Sequence, residues 1–218
     1  MAEPVKRQYR SAKRAAAAAA TRARIREAAA RLFVEQGYVA TTMRDVAASA
    51  GVGERTLYDA FPTKAALFGH TLGVATVGDE APVRVADRPE VRSAHDEPDA
   101  EEAIARTVSY ATDLLDRAGD LIMVSVEAAG ADPDMRAAAD AGARATHEVY
   151  LALTEALRER GALQPGLDAT AAADVMYALA SPHMHQLLCR HRGWPLERYR
   201  AWLRNALARE LLDRTGRR

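Results

Sequence analysis

Residues 42–61, TMRDVAASAGVGERTLYDAF, read as two short helices joined by a tight turn. Thr42 stands where an N-cap belongs: its hydroxyl can accept from the Asp45 amide, and Asp45 can reach back. Met43, Val46, Ala47 and Ala50 recur at helical spacing and give the first helix one buried face. Gly51 follows, the residue type that takes a positive φ without strain. The second helix runs from about Glu54 to Ala60 and buries Leu57, and Phe61-Pro62-Thr63 breaks it. A helix-turn-helix needs a small residue midway along its first helix, so that the second can pack close, and Ala47 supplies it. Val46, Val52 and Leu57 anchor the pair. The spacing fits two helices joined by a short turn of the DNA-binding kind.

The pattern extends outward from this hairpin as helix after helix. Upstream, Ile25, Ala28, Ala29, Leu32 and Phe33 form one apolar stripe that ends at Gly37. Residues 1–20 read as a flexible basic arm, partly helical through the alanine run at 15–20. Downstream, Thr63 can cap a fourth helix carrying Leu67, Thr71, Leu72 and Val74. Residues 79–98 hold Pro82, Pro89 and Pro98 among many charges, show no period, and read as an irregular loop. Asp99 then caps a helix with Ile104, Val108, Ala111, Leu115 and Ala118 inward, and residues 121–126, apolar nearly all round, predict a fully buried segment. Asp132-Pro133 starts a long helix reaching Gly161, with Met135, Ala139, Thr146, Val149, Tyr150, Leu153 and Leu157 facing in. Asp168 caps another, which Ser181-Pro182 interrupts or kinks, and the last runs over about 195–214. The expected fold is all-α: about nine helices, no strands, a three-helix N-terminal domain over residues 21–66 containing the helix-turn-helix, and a larger helical domain over 67–218.

Charge points to a partner for one end of the molecule. The chain is neutral overall, yet residues 1–64 carry 12 of the 30 basic side chains and only six of the 30 acidic ones. A basic third on an acidic body suits a polyanion. No apolar run is long enough to span a bilayer and no signal core follows the basic start, so a cytoplasmic location is expected. The single cysteine, Cys189, excludes an internal disulfide framework.

Residues 21–68, TRARIREAAARLFVEQGYVATTMRDVAASAGVGERTLYDAFPTKAALF, resemble the N-terminal domain of the TetR family of transcription regulators. Leu32-Phe33, Gly37-Tyr38, Thr41-Thr42, Asp45-Val46-Ala47, Ala50-Gly51-Val52, Thr56-Leu57-Tyr58, Phe61, Lys64 and Leu67-Phe68 carry the likeness. The segment RGWPLERYRAWL at 192–203 also resembles the end of many members. The resemblance implies that Thr42, Tyr58 and Lys64 hold DNA phosphates, with Arg44 near the backbone too, contacts that fix register without reading sequence. It turns Gly53, Glu54, Arg55, Thr56 and Asp59 toward the major groove. Arg55 is the candidate for reading guanine, against a phosphate contact or an ion pair with Asp59. Tyr58 could equally be a half-buried packing residue. Many members have Ser at the position of Gly53 and Lys-Gly at that of Glu54-Arg55, so operator preferences do not carry over.

For the body, the resemblance implies a homodimer through the last two long helices, with Met176, Leu179, Leu196, Tyr199, Leu203, Leu207 and Leu211 as interface candidates, and ordinary core within one chain is the alternative for the stripe at 196–211. Two recognition helices about one DNA turn apart would then bind a pseudo-palindrome. It also implies a pocket for a small-molecule effector among helices 99–180. Tyr110, Met123, Glu127, His147, Tyr150 and Met176 are the candidates, Glu127 foremost because a buried carboxylate needs a partner. No cofactor is expected. His183, His185, Cys189 and His191 invite a metal, although only His185 and Cys189 fall on one helical face, and surface histidines are the simpler reading. No Gly-rich phosphate loop, Gly-x-Ser-x-Gly elbow or His-Glu-x-x-His motif occurs, so an enzyme is not expected. The alternatives are a helical interaction protein with vestigial DNA binding, or a metal-controlled regulator.

Overall fold

The computed structural model describes residues 4–81 and 83–213, with side chains from Lys13 onward. The described residues are helical throughout, with a single isolated bridge, Leu163 to Leu212, and no strand. In chain order the helices are α1 (Pro4–Ala40), α2 (Met43–Ala50), α3 (Glu54–Ala60), α4 (Lys64–Val77), α5 (Pro89–His95), α6 (Ala100–Ala128), α7 (Pro133–Glu159), α8 (Ala169–Leu179), α9 (Pro182–His185) and α10 (Leu196–Leu211). The caps read from sequence are in place. Thr42, Thr63, Asp99, Asp132 and Asp168 each accept a backbone N–H of the first turn that has no partner inside the helix.

Two apolar cores organise the chain. The head core joins Ile25, Phe33 and Tyr38 of α1 to Met43, Val46, Leu57, Phe61, Leu67 and Phe68. Phe33, Tyr38 and Phe68 stack and pack edge-on at centroid distances of 5.0–5.8 Å. Leu121, Val124, Ala128 and Met135 enter this same core from the end of α6 and the start of α7, so the body plugs into the head. The predicted boundary at 66/67 therefore falls inside α4, whose Leu67 and Phe68 belong to the head core. The body core lies among α6, α7, α8 and α10 around Ile104, Val108, Leu153, Leu157, Met176, Tyr199, Leu203 and Leu207.

Four expectations are corrected. The arm predicted over residues 1–20 is helical from Pro4 and continuous with α1, while residues 1–3 lie outside the described residues. Alanine has the best helix propensity, and extending an existing helix needs no new nucleus. The loop predicted over 79–98 contains a 3-10 turn, Val85–Asp87, and α5. Pro89 occupies the first turn of α5, where its missing N–H costs nothing, and Val91 and Ala94 are buried. Arg88 grips both Asp79 oxygens at 2.7 and 3.0 Å, and Arg160 donates to the His95 and Glu97 carbonyls, which fastens the segment to the body. Finally, residues 121–126 are not buried all round: α6 turns Val126 outward at 39% exposure. Thr146, predicted to face inward, is exposed as well.

Candidate nucleic-acid interface

The head presents one face whose polar groups are positioned by local caps. Gly51 ends α2 in the left-handed region at φ 64°, and its N–H and that of Val52 return to the carbonyls of Ala48 and Ala47. This turn sets α3 across α2, with Ala47 at 1% and Leu57 at 0% exposure between them. Everything α3 does not bury, namely Glu54, Arg55, Thr56, Tyr58 and Asp59, is exposed on its outer side together with Gly53. Gly53 is the N-cap in extended conformation and offers no side-chain hydrogen bond.

Each DNA candidate has a defined surrounding. The Thr42 hydroxyl accepts from the Asp45 amide at 3.1 Å and donates to the Asp45 carboxylate at 2.6 Å. It stands exposed at the N-terminus of α2, where amide dipoles favour an anion. Arg44 lies 3.8 Å from Glu54, and both are largely exposed, a weak pair that a phosphate can displace. Arg55 makes no ion pair among the described residues, so the alternative pairing with Asp59 is not formed. Tyr58 is 48% exposed and is not a packing residue of the core.

Lys64 is tied down. Its Nζ donates to the carbonyls of Tyr38, Val39 and Thr41 at 2.8, 3.3 and 3.1 Å and sits 4.4 Å above the Tyr38 ring. These carbonyls follow Gly37, where φ of 79° breaks the regular helix. The ammonium thus closes the end of α1, a role unreadable from its own surroundings in the sequence. Burial draws its pKa down, and Asp132 of the body opposes that. Burial and then Asp132 push the Tyr38 hydroxyl up to about 12. Arg31, which donates to the Ser49 hydroxyl at 2.6 Å, and Arg22, over the Phe61 ring at 4.8 Å, brace α1 against the hairpin. Sequence reading passed over both, since their partners are far along the chain.

The body candidates divide. Tyr150 and Met176 are buried in the body core, and burial drives the Tyr150 hydroxyl's pKa upward. Glu127 is exposed on α6, because it follows Val126 on the outward side, so the argument for a buried carboxylate is withdrawn. Met123 is half-buried, and His147 pairs at the surface with Asp174 at 2.9 Å. Tyr110 is half-buried with an unpartnered hydroxyl. The structure does not bring the six together. Two surface hollows, of about 450 Å³ beside Asp99, Glu102 and Arg204 and about 370 Å³ beside Val175, Leu179 and Trp202, are lined by none of them.

The proposed dimer stripe also needs correction. Met176, Tyr199, Leu203, Leu207 and Leu211 are fully buried within the chain at 0% exposure, against α6, α7 and α8. A helical stripe reports that a face is covered, not by which chain. Leu179 and Leu196 stay half-buried, and the outer side of α8 and α10 shows Val175, Ala178, Leu179 and Trp202 around the smaller hollow. Of the metal candidates, His183 and His191 are exposed, Cys189 is half-buried and His185 is fully buried. Among the described residues no group of three or more potential ligands is poised to hold a metal. Among the described residues, no helix is long and apolar enough to cross a membrane.

Comparison with known proteins bears on this geometry. Residues 25–71 match the family model of bacterial regulatory proteins of the tetR family. No curated protein sequence matches the chain. Among solved structures, a candidate transcriptional regulator from Saccharomonospora viridis, in complex with choline, superposes with a TM-score of 0.68 at 22% identity, over 90% of this chain and 100% of that one. The SmeT–triclosan complex gives 0.67 at 19% identity, over 90% and 93%. NalD, the secondary repressor of the MexAB-OprM multidrug efflux pump in Pseudomonas aeruginosa, gives 0.60 at 23% identity, over 90% and 97%. At these identities the likeness is one of fold, and it extends over both head and body.

Proposed function

We propose that the chain is a regulator of the TetR kind, a repressor that binds a pseudo-palindromic operator as a homodimer and releases it when a small molecule binds the body. The observation that carries the reading is the outer side of α3. Gly53, Glu54, Arg55, Thr56, Tyr58 and Asp59 stand exposed on a helix whose inner side is fixed by Leu57 and Phe61. Arg55, with no partner among the described residues, supplies the fork that suits guanine O6 and N7. Thr42, Arg44 and Tyr58 flank it as phosphate contacts, and Lys64 adds positive charge from its place at the end of α1.

Dimerisation in this reading uses the outer side of α8 and α10. Val175, Ala178, Leu179 and Trp202 there are more apolar than a solvated helix face needs. The mechanism follows from how the body enters the head. Leu121, Val124, Ala128 and Met135 share the head core, so a shift of α6 or α7 moves the recognition helix with it. A ligand that favours one body conformation then changes the spacing of the two heads, by no more than its differential affinity for the two states. The ligands of structurally similar regulators, choline in one and triclosan in another, support a ligand-responsive body but do not name this one's effector.

Selecting bound fragments from the parent genome tests the reading. An enriched pseudo-palindrome, bound with an affinity that falls steeply with salt, is expected. Enrichment of no fragment at low ionic strength contradicts it.

A further inference from the structure

The least satisfied polar side chain of the body is His185. It is 0% exposed, yet neither ring nitrogen has a hydrogen-bond partner. Natural cores rarely leave both polar atoms of a side chain unpaired, because each forfeits its hydration without return. The ring is held there by shape. A Cβ at Gly119 of α6 would stand only 3.3 Å from Nδ1, so a glycine is what admits the imidazole. Tyr199, itself fully buried, meets the ring edge-on at 5.5 Å and 71°. Burial lowers the pKa, with Arg190 adding to the effect and Asp116 and Asp120 opposing it, so the ring is neutral and offers one donor and one acceptor.

The segment that follows is unusual too. Residues Gln186–His191 form a π-helical turn, a rare geometry concentrated at functional sites. Its outer side is clasped to α6 by one carboxylate: Asp120 accepts from Gln186 at 2.6 Å and from Arg190 at 3.2 Å. Its inner side, with Met184 before it and Leu188 and Cys189 within it, lies against the body core. A polar clasp outside, an apolar lining inside and an unpaired imidazole beneath are the parts of a closed ligand site.

We propose that His185 is the polar anchor of the effector site. Its ligand is a small, neutral, mostly apolar molecule carrying one hydroxyl, admitted when the π turn lifts from α6. The hydroxyl satisfies a ring nitrogen, and the apolar remainder replaces the contacts of Met184 and Leu188. An anion would meet Asp116 and Asp120. A cation would meet the Arg190 guanidinium, and of the two carboxylates Asp120 is engaged by Arg190 while Asp116 is exposed to solvent. The inference rests on the reading of the chain as a ligand-responsive regulator.

The test compares para-butylphenol with its methyl ether, which loses the O–H donor and carries one methyl group more. Thermal unfolding of the full chain is followed without DNA, and operator release is followed separately. At ten times its Kd the phenol should raise Tm by about 3 °C. The ether should bind about tenfold more weakly, because it cannot donate to the ring nitrogen that accepts. His185→Phe should erase the difference between the two. If that variant does not fold, Gly119→Ala, whose methyl crowds Nδ1, should weaken the phenol more than the ether. In the wild-type protein, the NMR signals of the His185 ring nitrogens should move with the phenol and not with the ether. Equal binding of the two probes, binding of neither, or unmoved nitrogen signals overturns the site while operator binding stands. Failure of the probe-free protein to bind any operator strikes instead at the regulator reading.

Discussion

The head and the body of this chain are made of the same helical material and differ in how many buried polar groups they leave unpaired. In the head nearly every helix end is closed by a specific partner. Thr42 and Thr63 cap α2 and α4, Lys64 closes α1, and the Thr41 hydroxyl donates to the carbonyls of Leu32 and Gly37. The body caps its helices as well, through Asp99, Asp132, Asp168 and Ser181, but it leaves His185, Ser125 and Tyr110 with buried polar atoms unpaired, where the head has His70, and it interrupts its helices with a proline turn and a π turn. A unit with most of its groups satisfied has one good arrangement, which suits the reading of a fixed DNA geometry. A unit with unsatisfied groups has something to gain from rearranging or from binding, which suits a sensor.

Removing Lys64 should give the largest break in that contrast. Lys64→Ala strips three carbonyls of their donor and should cost about 1–3 kcal/mol of stability, read by denaturant unfolding. It should also lower operator affinity for every sequence alike. Unchanged stability with a flattened salt dependence would make the residue a phosphate contact and nothing more. Arg55→Ala should leave stability untouched and cost about 1–3 kcal/mol of operator affinity, concentrated at one base-pair position in a scan of operator variants. Uniform weakening across all variants would assign Arg55 to the phosphates.

The smallest effect lies in the body and concerns pH. The His185 pKa is lowered by burial, so just below the ordinary histidine value the unfolded chain binds a proton that the folded one refuses. The stability tied to the neutral ring is fully present above about pH 6.5 and falls as the pH drops toward the lowered value. Thermal unfolding at pH 7 and pH 5 should therefore show a larger loss for the wild type than for His185→Phe. A residual loss should remain from His70 and His95, whose pKa values are lowered as well. Equal losses would mean that the ring is not held neutral.

What the sequence revealed follows the range of the interactions. The helix-turn-helix was legible because its determinants are local: Thr42 caps the amide three residues on, Gly51 takes its positive φ within the turn, and Ala47 is small where α3 must pack. The proline-rich stretch at 79–98 hid α5, because only Val91 and Ala94 mark its buried side and its clasp to Arg160 spans the domain. The stripe on α10 was legible as buried but not as to whether a second subunit or the same chain covers it, since periodicity carries no information on the covering partner; within the chain it packs on the body core. His185 was read as a surface histidine, with a metal ligand as the alternative, and it is fully buried instead. Its burial depends on Gly119, a residue whose importance lies in the side chain it lacks.

The central claim is that two copies of this chain lay their α3 helices along one duplex. The most direct measurement is the mass of the complex on a short duplex carrying the selected operator, determined by sedimentation or native mass spectrometry. Two chains per duplex, unchanged when protein is limiting, is the predicted result. A saturable complex of one chain per duplex, or a protein that is monomeric and leaves the duplex free, would contradict it.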